Sequence, residues 1–122
     1  MTASILTVDD SSSLRIAIRI ALSGAGYAVT EAADGMEGLE KARSAKFDMI
    51  IADLNMPRMN GLEMIREIRK LPIQLGTPII FLTTESDEGM KQDARQSGAT
   101  GWLVKPFVPE QLLRVAAKVL SR

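Results

Sequence analysis

Ile50-Ile51-Ala52-Asp53-Leu54-Asn55-Met56-Pro57 is the stretch whose reading decides the fold. The apolar run from Met49 to Ala52 lacks polar alternation, which predicts a short strand buried on both faces. Asp53 ends the run, and Pro57 blocks any continuation of regular structure. An ionisable side chain just past a buried strand is partly desolvated and needs a compensating partner. The competing reading of this stretch alone is that Asp53 caps a turn.

Outward from this stretch, strand-like and helix-like segments alternate. Ile5 to Val8 is an apolar run ending in Asp9-Asp10. Ser11, Ser12 and Ser13 offer N-caps for a helix with Leu14, Ala17, Ile18 and Ala21 on one face, closed by Gly24 and Gly26. Tyr27 to Ala32 is a weaker strand, and Asp34-Gly35 reads as a turn. Met36, Leu39 and Ala42 mark a second helix, supported by Glu37 and Lys41 at i,i+4 spacing. Beyond the central strand, Asn60-Gly61 opens a third helix carrying Leu62, Ile65 and Ile68, and Pro72 ends it.

Ile79 to Leu82 is the fourth strand, ending in Thr83-Thr84. Residues 87–97 look helical but offer only Met90 and Ala94 as apolar anchors. Gly101 to Val104 is the fifth strand, followed by Lys105-Pro106. A last helix has Pro109 in its first turn and presents Leu112, Leu113, Ala116, Val119 and Leu120 for burial. Five such units predict an α/β fold: a doubly wound, parallel five-stranded sheet with helices on both faces and right-handed crossovers.

Composition narrows the function. With 122 residues, 46% of them hydrophobic, the chain is expected to form one domain over residues 1–122. Fifteen acidic and fifteen basic residues cancel, and no charge block points to nucleic acid or a membrane surface as a partner. The absence of cysteine excludes disulfides and thiolate metal sites. The absence of histidine removes the usual general base and the commonest zinc ligand. No apolar run approaches the roughly 20 residues of a membrane span, and no signal-peptide pattern opens the chain. A cytoplasmic domain is expected.

In open parallel sheets, ligands bind beyond the carboxyl ends of the strands. The polar residues in those places are Asp9-Asp10, Asp53, Thr83 and Lys105. Three carboxylates repel one another, and one lysine cannot neutralise them. Ligands that are all oxygen favour a hard cation such as Mg²⁺, which commonly takes one or two carboxylates, waters and a phosphoryl group. A carboxylate beside that cation can act as a nucleophile towards phosphorus. Lys105 and the Thr83 hydroxyl would then serve the phosphoryl oxygens.

Asp9-Asp10, Asp53 with Met56-Pro57 and Gly61, Thr83, and Lys105-Pro106-Phe107 follow one another as in a known family. The whole chain resembles the receiver domains of two-component response regulators, especially the CheY-like single-domain chemotaxis regulators. The resemblance, and not the spacing, implies the strand order 2-1-3-4-5, for which that fold is itself a standard example. It implies that Asp53 is the phosphoacceptor, served by the phosphohistidine of a CheA-like histidine kinase. It implies that Asp10, Asp53 and the backbone carbonyl of Asn55 bind Mg²⁺ directly, with Asp9 acting through water. Thr83 and Lys105 would contact the phosphoryl group, and Lys105-Pro106 would be a cis peptide. On this reading the domain is no enzyme in the ordinary sense, since it catalyses only its own phosphorylation and dephosphorylation.

Trp102 stands where the family usually carries Tyr or Phe, and Val108 where a Ser or Thr would cap the last helix. Asn55 and Glu85, with Thr84 between strand and loop, are expected to tune dephosphorylation by flanking the path of an attacking water. The output face is expected to present Met90, Lys91, Arg95, Trp102, Gln111 and Arg114, with Thr83 as the trigger. A flagellar motor switch protein is the implied partner of a monomer. A phosphorelay intermediate or phosphate sink would use the same site. A flavodoxin-like redox carrier would need aromatic walls that five aromatic residues hardly supply. An aspartate-nucleophile phosphohydrolase would place its nucleophile after the first strand with a second Asp two residues on.

Overall fold

The computed structural model describes residues 2–54, 56, 59–84 and 88–121, with the backbone alone for residues 88 and 90. Among them are five strands: β1 (Ser4–Val8), β2 (Ala28–Ala32), β3 (Met49–Asp53), β4 (Ile79–Thr83) and β5 (Gly101–Val104). Five α-helices alternate with them: α1 (Ser12–Gly24), α2 (Gly35–Ser44), α3 (Gly61–Ile68), α4 (Glu88–Gln96) and α5 (Pro109–Leu120). The strands pair in parallel in the order β2-β1-β3-β4-β5. β3 lies at the centre and is buried at every position, as its unbroken apolar run requires.

Alternate strand residues feed two core layers. Leu6, Val8, Ile50, Ala52, Ile79 and Phe81 pack on the side of α2, α3 and α4, whereas Ile5, Met49, Ile51, Ile80 and Leu82 pack on the side of α1 and α5. Two helix faces differ from their sequence reading. Ala17 is exposed, and α1 seats instead through Ile18 and Leu22, with Leu14 and Ala21 beside them. That row follows the i,i+4 spacing, which rotates Ala17 off the contact. Met36 is also exposed, at 41%, because α2 seats through Gly35, Gly38, Leu39 and Ala42. A Cβ on Gly38 would lie 2.8 Å from Met64 Sδ and 2.9 Å from Val8 Cγ2. Hydrogen at that position lets α2 close on α3 and β1.

A buried polar residue joins these parts. Gln74, in the 3-10 turn Pro72–Gln74, is fully buried. Its Nε2 donates to the carbonyls of Ala42 (2.7 Å) and Ala45 (2.5 Å), while its Oε1 accepts from the Phe47 N–H (3.2 Å) and the Thr77 hydroxyl (3.1 Å). One side chain therefore satisfies the carboxyl end of α2 and the approach to β3, groups that burial would otherwise leave unpaired.

Candidate functional site

The register of the sheet brings the polar strand ends together. Val8 pairs with Ala52, which sets Asp9 beside Asp53. Asp53 pairs with Leu82 and Thr83 with Val104, so Thr83 and then Lys105 each stand one step further along the edge. One carboxylate oxygen each from Asp9, Asp10 and Asp53 lie within 4.8 Å of one another. Asp9 and Asp53 are buried, whereas Asp10 faces solvent. The Lys105 ammonium lies 3.2 Å from Asp53 Oδ2 and 3.4 Å from Asp9 Oδ2. Thr83 is buried at the end of β4, and Thr84 is exposed.

Local hydrogen bonds fix these positions. The Asp9 N–H donates to the Ala32 carbonyl (3.1 Å), and Arg15 of α1 donates to the Asp9 carbonyl (2.6 Å). The Ser11 N–H donates to Asp9 Oδ1 (2.8 Å), while the Ser11 hydroxyl accepts from the Leu14 N–H as the N-cap of α1. The Lys105 N–H donates to the Thr83 carbonyl at 2.8 Å, and Lys105-Pro106 is the expected cis peptide. Burial pushes the Asp9 carboxyl above its ordinary range, and the Asp53 charge adds to the shift. The Ser11 N–H and the Lys105 ammonium oppose it.

The chain leaving β3 is held between β4 and the start of α3. The Leu54 N–H donates to the Leu82 carbonyl (3.2 Å), and the Gly61 N–H donates to the Leu54 carbonyl (2.9 Å). A Cβ on Gly61 would overlap the Asp53 carbonyl oxygen and lie 2.8 Å from Leu54 Cα. Asn60 caps α3 by accepting from the Glu63 N–H (2.9 Å), and Glu63 accepts from the Asn60 N–H in return (3.3 Å). Arg15 and Gly61 are the supporting residues whose roles sequence reasoning missed. An arginine one turn after a cap reads as surface, and Gly61 reads only as the opening of a helix, since its close approach to Asp53 and Leu54 is tertiary.

The expected output residues fall into two groups. Trp102 is half-buried and lies opposite Phe81 in the β4–β5 register, with ring centroids 6.1 Å apart. Lys91 Nζ sits 4.5 Å and Arg95 Cζ 5.1 Å from the Trp102 ring. Gln111 and Arg114 are exposed on α5, but the Gln111 side chain accepts from the Val108 N–H at 2.9 Å. Gln111 thus satisfies the start of α5, where valine offers no capping atom. Asn55 and Glu85 lie outside the described residues, as does the Met90 side chain.

A parallel sheet in this order, with an acidic cluster and a lysine at its carboxyl edge, is the architecture of a class of signalling domains. The chain belongs to the response regulator receiver domain family, which matches residues 5–117. It is 40% identical over 114 residues to the transcriptional regulatory protein ResD of Bacillus subtilis, covering 93% of this chain and 46% of ResD. It is 41% identical over 118 residues to the response regulator ArlR of Staphylococcus aureus, covering 97% of this chain and 52% of ArlR. The chain spans about half the length of these curated relatives.

Among solved structures it resembles the chemotaxis response regulator CheY4 of Vibrio cholerae, at 49% identity and a TM-score of 0.95 over 98% of this chain and 100% of that one. It also resembles the receiver domain of the sensor histidine kinase PA1611 of Pseudomonas aeruginosa, at 30% identity and a TM-score of 0.92 over the whole of both chains. That structure has a magnesium ion coordinated in its active-site cleft. Receiver domains of this family are signalling modules that work with histidine kinases and bind Mg²⁺ at an acidic pocket. Among the described residues, no helix is long and apolar enough to cross a membrane.

Proposed function

We propose that Asp53 accepts a phosphoryl group from the phosphohistidine of a CheA-like histidine kinase, and that the phosphorylated chain signals through the α4–β5–α5 face. The observation that carries this reading is the Lys105 ammonium, 3.2 Å from Asp53 Oδ2, beside three carboxylates whose oxygens converge within 4.8 Å. One ammonium leaves that cluster with excess negative charge, and its donors are all oxygen. Both features suit Mg²⁺ held by Asp10, Asp53 and the Asn55 carbonyl, with Asp9 acting through water. When bound, the ion would supply positive charge that neutralises the phosphoryl oxygens and leaves phosphorus more open to attack.

A carboxylate oxygen of Asp53 attacks phosphorus, and a P–O bond forms as the P–N bond to the imidazole breaks. The electron pair leaves with the imidazole nitrogen, which is then free to take a proton. Lys105 stays paired with the product oxygens, and the Thr83 hydroxyl donates to another. Asn55, Thr84 and Glu85 would tune the rate at which water later removes the group. Incubation with acetyl phosphate tests the proposal, with intact-mass spectrometry as the readout. Phosphorylation should require Mg²⁺ and disappear in Asp53→Asn, because an amide is a poor nucleophile. Equal phosphorylation of parent and variant contradicts it.

The likeness to CheY4 over nearly the full length of both chains favours a chemotaxis role, with a flagellar motor switch protein as partner. The matches to ResD and ArlR favour a second reading, in which the same chemistry serves a transcriptional regulator. Phosphorelay or phosphate-sink service would leave the chemistry unchanged. The domain would span residues 1–122 and act as a cytoplasmic monomer.

A further inference from the structure

Among the described side chains of α4, Ala94 is the buried apolar anchor, and polar contacts add to the hold on the helix. At its carboxyl end, Arg66 of α3 donates to the Ser97 hydroxyl (3.1 Å), and Arg69 donates through Nε and Nη2 to the Gly98 carbonyl (3.0 and 2.8 Å). Along the helix, Lys91 and Arg95, the latter in the last turn, stand one turn apart and bring both cations over the face of a single indole. Trp102 in turn packs on Phe81, which belongs to the buried core. Ala94, fully buried between those two cations in sequence, adds little apolar area of its own.

We infer that Lys91 and Arg95 are positioning residues that clamp Trp102 between α4 and Phe81, so that the indole and the helix move as one unit. The inference concerns the resting chain and does not depend on whether Asp53 takes a phosphoryl group. Two cations on one ring favour the indole orientation that faces both, and they oppose any rotation that breaks both contacts. With the Arg66 and Arg69 ties fixing the carboxyl end, displacement of α4 is greatest towards its amino end. Trp102 then limits how far α4 can swing before the stack opens.

Trp102 is the only tryptophan, so its fluorescence reads the clamp in the untagged, unphosphorylated chain. Lys91→Gln with Arg95→Gln should raise acrylamide quenching about twofold or more and shift emission to longer wavelength, a change set by two lost cation–π contacts. Arg95→Lys, which keeps the charge, should retain most of the parent's protection. Hydrogen exchange should speed up across the amides of α4 in the double variant while those of α1 keep the parent's rate. Far-ultraviolet circular dichroism identical to the parent's shows that the comparison is made on folded chains. Quenching and α4 exchange equal to the parent's would overturn the clamp. A loss of protection as large in Arg95→Lys as in the double variant would overturn the charge-based explanation.

Discussion

Asp9 carries a charge that its surroundings only partly compensate. Its carboxyl titrates above its ordinary value of 3.8 in the folded chain because burial disfavours the charged form. Between that value and the raised one, the native state binds more protons than the unfolded state, so stability falls as pH climbs through the interval. Asp9→Asn in metal-free chain should therefore raise the Tm at about pH 7, with the gain shrinking below 3.8, where the parent carboxyl is protonated in both states. Thermal unfolding across that range checks the sign; a lower Tm at neutral pH would show that the Lys105 contact outweighs burial. Asp9 also has both oxygens engaged, one by the Ser11 N–H and one by Lys105. Asp10 is exposed beside them. Asp10→Asn should accordingly weaken Mg²⁺ binding more than Asp9→Asn does, read by titration against Trp102 fluorescence. The opposite order would assign the direct contact to Asp9.

The helices matter to the site through their starting points. α3 begins at Gly61, pressed against the backbone of Asp53 and Leu54. Because the obstructing atoms are backbone, Gly61→Ala must displace the end of β3 or the start of α3. A loss of about 1–3 kcal/mol by denaturant unfolding is expected, with weaker Mg²⁺ binding. Unchanged stability would show that the loop absorbs a methyl group freely. Gln74→Leu removes the partner of the Ala42 and Ala45 carbonyls and the Phe47 N–H, and should cost about 3 kcal/mol or more. Neither role was legible in sequence. Gln74 reads as one polar residue in a Pro- and Gly-bounded connection, and its burial exists only once α2 and β3 meet around it. Gly35 and Gly38 form a contact face that a count of apolar residues passes over, and for that reason Met36, which helps mark the helix in sequence, lies outside the core. Four of the strands were legible because each is a mainly apolar run that stops at a polar residue, and the register makes those stops coincide; β2, which holds Thr30 and Glu31, carries a weaker signal.

Across the molecule, the site joins residues as far apart in sequence as Asp9 and Lys105, and no local segment contains it. It could still be anticipated, since a parallel sheet sends every strand's carboxyl end to one edge. The electrostatics there were legible as three carboxylates and one ammonium, but the division of labour was not. That Asp9 is buried while the adjacent Asp10 is exposed depends on the first turn of α1 and on Arg15. Likewise, the polar hold on α4 comes from α3 and β5, whose distance in sequence hides it. If Asp53 is the nucleophile, the product is an acyl phosphate, a carboxyl group activated towards hydride. Borohydride treatment of the chain after Mg²⁺ and acetyl phosphate should therefore convert Asp53, and no other aspartate, to homoserine. Peptide mass spectrometry should locate that residue at position 53. Homoserine at position 9 or 10, or none at 53 in phosphorylated chain, would contradict the assignment.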